Sequence, residues 1–136
     1  MVVDFFFFFY HSHNLHGVHS PFVYTLNEKV LNNCSEPPGM PAIREYRHFL
    51  SRCQETIQVD DPGSGSRKHT GNIRTVGEIY KTASGNHRMG IMLYHLLSYF
   101  RCKTVIELGT NLGVSTAYAC QHVLPGLKID RIEGSR

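Results

Sequence analysis

Several features that would assign this chain quickly are missing. Its four cysteines, Cys34, Cys53, Cys102 and Cys120, form no CxxC pair, which removes the common redox and zinc-ribbon motifs. No basic segment with a small-residue cleavage site opens the sequence, so no secretory signal is expected. Reduced thiols in a cytoplasmic protein are the expectation that follows. No apolar run approaches the ~20 residues needed to cross a bilayer. The start, MVVDFFFFFYHSH, holds five consecutive Phe and reads as a piece packed on the body, so no membrane partner is expected. Charge of one sign is also scarce: the net charge is +3, and the densest basic run is only Arg67, Lys68 and His69. Scattered basic residues argue against nucleic acid. No internal repeat is visible.

What is present fits a soluble globular domain. The 136 residues are 41% hydrophobic and 18% charged, a balance that supports a packed core. Nine histidines are unusual, and His11, His13, His16 and His19 crowd the beginning. Imidazoles can bind zinc or copper. No carboxylate or thiolate accompanies these four, so a polar entry segment is the preferred reading and no metal site is expected.

The first hundred residues read as mostly helical. Ser20 and Pro21 are a natural N-cap and first helical residue, with Phe22, Val23, Leu26 and Val30 on one face and Asn32 and Asn33 suited to the end. CSEPPGMP is a loop. AIREYRHFLSRC resumes a helix with Ile43, Tyr46, Phe49 and Leu50 inward. TIQVDDPGSGSRKHTGN is a short β-like piece and a Gly/Ser loop. IRTVGEIYKTAS reads as a helix with Ile73, Val76, Ile79, Tyr80 and Ala83 together. HRMGIMLYHLLSYFR is the clearest amphipathic helix, its stripe of Met89, Met92, Leu93, Leu96, Leu97 and Phe100 taken as core. KTVIELG is then a buried strand, STAYACQHVL a helix, and LKIDRIEG a second strand. The expected fold is α/β: parallel strands at Thr104–Leu108 and Lys128–Glu133, joined by a helix over Val114–Val123. The expected domains are 1–102, a helical extension with the Gly/Ser loop, and 103–136, the start of a cofactor domain.

The chemistry concentrates in VIELGTNLGVSTAYAC, residues 105–120. Gly109 lets the chain turn sharply after the strand. Gly113 permits close backbone approach and opens the next helix, whose first-turn donors Ser115 and Thr116 can satisfy. In an open α/β sheet, ligands sit beyond the carboxyl ends of the strands. Glu133, at the end of the second strand, is placed to receive ribose hydroxyls. The glycines are spaced G-x-x-x-G, not G-x-G-x-x-G, and Glu107 lies two residues before the first. A pyrophosphate would be repelled by Glu107. A cofactor carrying an ammonium and a sulfonium would be attracted. S-adenosylmethionine is therefore preferred over a dinucleotide.

This stretch resembles motif I of class I S-adenosylmethionine-dependent methyltransferases, in the E-x-G-x-x-x-G-x-S form of small-molecule O-methyltransferases. IEG at Ile132–Gly134 is similar to the acidic end of their second strand. HGVHSPFVYTL, the VDDPGSGSR loop and the helix before the motif resemble a bacterial group, chiefly of Bacteroidetes type, with an N-terminal helical extension. The resemblance covers roughly residues 16–134. It implies a Rossmann-like fold and methyl transfer to a small-molecule acceptor. It also implies that Glu107, Gly109, Thr110, Gly113 and Ser115 line the cofactor, with Glu133 on its ribose. No catalytic residue is assigned; Asp60, Asp61 and His69 are candidates by proximity alone.

Three departures stand out. Pro62 interrupts the family's Gly/Ser loop. Asp130 and Arg131 are awkward in a strand buried on both faces. The family's later strands are absent, so the chain reads as a truncated, cofactor-binding front portion, too short to be active alone. Self-association through an open sheet edge is then expected. The alternatives are a non-catalytic remnant or interaction module completed by a partner, and a dinucleotide-dependent oxidoreductase.

Overall fold

The computed structural model describes Tyr10 and residues 20–58, 73–122 and 125–134. The five-Phe run, the four early histidines, and Asp60, Asp61, Pro62 and His69 lie outside the described residues. The chain is mixed α/β, with helices and two small two-stranded sheets. It divides into two compact units, one up to Asn33 and one from Cys34 onward.

In the first unit, α1 spans Pro21–Leu26, and the Ser20 hydroxyl accepts from the Val23 N–H at 3.4 Å. The expected helix does continue, but Asn27–Leu31 winds as a π-turn, closed by Asn32 N–H on the Asn27 carbonyl at 2.9 Å. The wider pitch breaks the expected single face. Val30 is buried, while Phe22 and Val23 are exposed.

In the second unit, α2 spans Met40–Arg52. Ile43 and Leu50 point inward as expected; Tyr46 and Phe49 do not, Phe49 being 60% exposed. The strands β1, Thr56–Gln58, and β2, Ile73–Thr75, pair antiparallel. The helix expected to begin at Ile73 begins at Val76 instead: α3 is Val76–Ala83. Its start is fixed by a reciprocal capping box. The Thr75 hydroxyl accepts from Glu78 N–H at 3.1 Å, and the Glu78 carboxylate accepts from Thr75 N–H at 2.9 Å. That arrangement needs Thr75 in extended backbone, which leaves Ile73 and Arg74 free to join the strand pair.

Helix α4, His87–Phe100, is capped by Asn86 and stopped by Arg101 in the left-handed region at φ 50°. Gly90 allows α4 to approach the following helix. A Cβ there would stand 2.4 Å from the Tyr118 ring. The expected parallel strands are present. β3, Thr104–Leu108, and β4, Lys128–Ile132, pair in parallel register from Thr104 opposite Lys128 to Leu108 opposite Ile132. The connecting helix α5 covers only Val114–Ala119, shorter than the expected Val114–Val123.

The core gathers Met40, Ile43, Leu50, Ile91, Val114 and Tyr118. So α2, α4 and α5 pack on one another, and α5 lies on one face of the β3–β4 pair, where its Ser115 and Thr116 hydroxyls reach Glu107. On that face Val105, Glu107 and Ile129 are half-buried. The opposite face presents Ile106, Leu108 and Ile132, which are 66%, 75% and 58% exposed. β3 is thus not the fully buried strand its apolar run suggests. Asp130 is also less awkward than expected: it sits on the open face and pairs with Lys128 at 3.0 Å.

Candidate functional site

The site is built where β3 ends. Gly109 N–H donates to the Ile132 carbonyl at 2.8 Å, carrying the strand pairing one residue past β3. The chain then turns through Gly109 at φ 77°, Asn111 at φ 48° and Gly113 at φ 67°. Three left-handed residues in five make a compact loop, and two of them are glycines, which adopt this backbone without steric cost. Asn is the next most tolerant residue. Apart from the flanking residues, no atom of the described residues lies within 4 Å of where a Cβ would stand at Gly109 or Gly113. The glycines serve backbone conformation and leave the space above the turn open.

Both ends of the loop are anchored. Gly113 N–H closes on the Thr110 carbonyl at 2.8 Å. The Tyr46 hydroxyl of α2 donates to the Leu112 carbonyl at 2.7 Å. Val114 and Tyr118 hold α5 in the core, with Leu112 packed against it.

Two carboxylates flank the turn. Glu107, half-buried on the helix side of β3, accepts hydrogen bonds from the hydroxyls of Ser115 and Thr116. This differs from the expectation that those hydroxyls cap the helix; α5 has no side-chain cap, and Gly113 occupies its N-cap position. An ionised carboxylate accepts at about four lone-pair positions, so two hydroxyls orient Glu107 without saturating it. Glu133, just after β4, accepts from the Asn111 N–H at 2.7 Å and from the Gly134 N–H at 3.1 Å. The expected site residues Glu107, Gly109, Thr110, Gly113, Ser115 and Glu133 therefore meet at the carboxyl ends of the paired strands. Asn111 and Tyr46 were not foreseen. An Asn between two turn glycines was the available signal for the first; a contact across most of the second unit left none for the second.

A cleft of about 280 Å³ adjoins the turn, lined by Val105 to Gly109 together with Leu93, Ser115, Thr116, Ala119 and Ile129. Residues of both strands and of α4 and α5 line it, so it lies between the strand pair and these helices. The Thr110 hydroxyl oxygen is buried without a hydrogen-bond partner, a polar atom the fold itself does not satisfy.

Beyond the turn, the buried Tyr118 hydroxyl meets His87 Nδ1 at 2.9 Å. Burial pushes the phenol above its ordinary pKa of 10.0, against the opposing pull of the Arg47 guanidinium. All four cysteines are free thiols. Among the described residues no three potential metal ligands cluster, and no helix is long and apolar enough to cross a membrane.

Compared with known proteins, the chain matches no family model, no curated protein and no solved structure.

Proposed function

We propose that the turn between β3 and α5 is an S-adenosylmethionine site, and that this chain carries the first β-α-β unit of a Rossmann-like, class I methyltransferase acting on a small-molecule acceptor. The observation that carries this reading is the placement of two carboxylates around an open glycine turn. Glu107 lies before Gly109, and Glu133 reaches the Asn111 N–H on the far side. Glu107 beside the turn would repel a pyrophosphate, while an acid at the place of Glu133 serves the ribose of either cofactor. A ligand with an ammonium at one end and a ribose diol in its middle suits both.

The residues present fit such a group. Open space over Gly109 and Gly113 admits close backbone approach. Glu107, oriented by Ser115 and Thr116, would attract the methionyl ammonium. Glu133 would accept from the ribose hydroxyls. When bound, the cofactor supplies an activated methyl group on a sulfonium. The chain's own task is positioning: methyl transfer is an in-line displacement, so holding donor and acceptor in register supplies much of the rate. No described side chain is assigned as a general base.

A second reading, a non-catalytic module completed by another strand-bearing partner, draws on the exposed Ile106, Leu108 and Ile132 face. Cytoplasmic residence belongs to both readings. Titration with S-adenosylhomocysteine separates them: the methyltransferase reading expects binding that Gly109→Val abolishes and Glu133→Ala weakens. Wild-type-like binding by both variants would show that the ligand, if any, sits elsewhere.

A further inference from the structure

Only part of the apolar surface of α4 packs into the core. Ile91 and Leu97 are buried. Met89, Met92, Leu93 and Leu96 instead wall a cavity of about 310 Å³ shared with α2 and α5. Val114 and the Tyr118 ring form its α5 side, and Met89, 53% exposed, stands at its mouth. This volume lies at the lower end for small-molecule pockets, which combine apolar walls with a few placed polar groups.

The polar groups of this cavity favour one sign of charge. Arg47 of α2 and Asn86, the N-cap of α4, line it, and among the described residues no carboxylate does. Arg47 is half-buried and makes no ion pair among the described residues. Its guanidinium is held in place: it lies over the Tyr80 ring at 5.4 Å, and Nη1 donates to the Gly85 carbonyl at 3.1 Å. A guanidinium has five N–H donors and no acceptor, so donors remain for a ligand. Glu36, whose charge reaches Tyr118, is paired with Arg44 and does not line the cavity. Asn86 uses its side-chain oxygen on the Met89 N–H at 2.9 Å, which leaves its amide NH2 free to donate. The walls favour a ring. The thioethers of Met89 and Met92 make favourable contacts with aromatic edges, and the Tyr118 ring offers an aromatic partner.

We infer that this cavity binds a small aromatic carboxylate, its acid group paired with Arg47 and Asn86 and its ring lodged among Met89, Met92, Leu96 and Tyr118. An arginine commonly grips a carboxylate through two parallel hydrogen bonds, which fixes the orientation of the acid as well as its charge. The site is distinct from the glycine turn. Leu93 and Ser115 border both cavities, but Glu107 and Gly109 line only the cleft beside the strands. Binding of the acid therefore does not depend on which cofactor occupies the turn.

Calorimetric titration of the full chain with 2-naphthoate tests this, beside its neutral amide, 2-naphthamide, and the aliphatic acid octanoate. Saturable binding of 2-naphthoate is expected, with both comparators weaker by about tenfold or more, the scale of a lost hydrogen bond to a charged group for the amide. Arg47→Gln is expected to weaken 2-naphthoate to a similar extent. So is Asn86→Asp, which keeps a good N-cap for α4 but sets a carboxylate in the cavity wall; circular dichroism checks that both variants keep their helices. The acid–amide comparison uses the native chain and holds whether or not Arg47→Gln folds. Backbone amide resonances of Gly85, Asn86 and Gly90 are expected to shift with 2-naphthoate. No saturable binding at millimolar acid overturns the inference. So does an amide that binds as tightly as the acid, a folded Asn86→Asp chain that binds the acid as wild type does, or shifts concentrated at Gly109 and Gly113. Octanoate binding as tightly as 2-naphthoate overturns the aromatic assignment.

Discussion

Among the described residues, α3 follows β2 at once and α5 follows β3 after a five-residue turn, and the two helices begin in opposite ways. At α3, Thr75 and Glu78 satisfy each other's backbone donors, and the Val76 and Gly77 N–H groups donate to the Glu55 and Cys53 carbonyls, so the polar groups at that start are all engaged within the fold. At α5 the N-cap is Gly113 in a left-handed conformation with no side-chain cap. The hydroxyls that could have capped it reach back to Glu107 on β3. The first junction uses its polar side chains for stability. The second uses them to fix a carboxylate beside an open turn, and it accepts three left-handed residues to do so. That contrast supports the proposal made for the second junction: local rules of capping are satisfied at the first and set aside where a ligand is proposed.

Substitutions can break or sharpen the contrast. The largest expected effect is Gly109→Val. A β-branched residue at φ 77° is strained, and its side chain enters the open space over the turn; binding of S-adenosylhomocysteine is expected to vanish in calorimetry. Glu133→Ala comes next, weakening binding by about 1–3 kcal/mol, the range for a lost hydrogen bond to a charged group, while thermal melting shifts little. Thr75→Ala is the mirror case. It is expected to cost about 1 kcal/mol of stability in denaturant melts and to leave ligand binding unchanged. If Thr75→Ala altered binding as strongly as Glu133→Ala, the two junctions would not be functionally distinct.

The smallest effect concerns pH. The folded-state pKa of Tyr118 is raised above 10.0 by burial. The unfolded chain therefore loses that proton first as pH climbs. Stability linked to Tyr118 is fully present below the unfolded pKa and is lost as pH rises from about 10 toward the folded value. Tyr118→Phe is expected to flatten the alkaline decline in melting temperature relative to wild type, even though it starts lower from losing the His87 contact. Parallel declines would show that burial does not govern this phenol.

The parts of this fold that were legible in the sequence were those written locally. Ser20 and Pro21 mark a helix start by residue type alone, and the run from Thr104 to Leu108, the glycines and the strand from Lys128 are adjacent enough to be read as one unit. What could not be read depends on partners distant in sequence. The strand character of Ile73–Thr75 comes from pairing with Thr56–Gln58, and the helical periodicity of IRTVGEIYKTAS conceals it. The exposure of Leu108 and of Met89 reflects which face a neighbour covers, and apolar periodicity cannot distinguish an occupied face from an open one. At the site, residue types and spacing located Glu107 and Glu133. Their present partners, two hydroxyls and the Asn111 N–H, depend on loop geometry that spacing does not encode.

The central claim, that the β3–α5 turn holds S-adenosylmethionine, is tested most directly by titrating the isotope-labelled chain with S-adenosylhomocysteine and following backbone amide resonances. Weak binding is sufficient for this readout. The account predicts shifts concentrated at Gly109, Thr110, Asn111, Gly113, Ser115 and Glu133, larger than any produced by a nicotinamide dinucleotide. Shifts confined to other residues, an equal response to the dinucleotide, or no shifts at saturating ligand would contradict it.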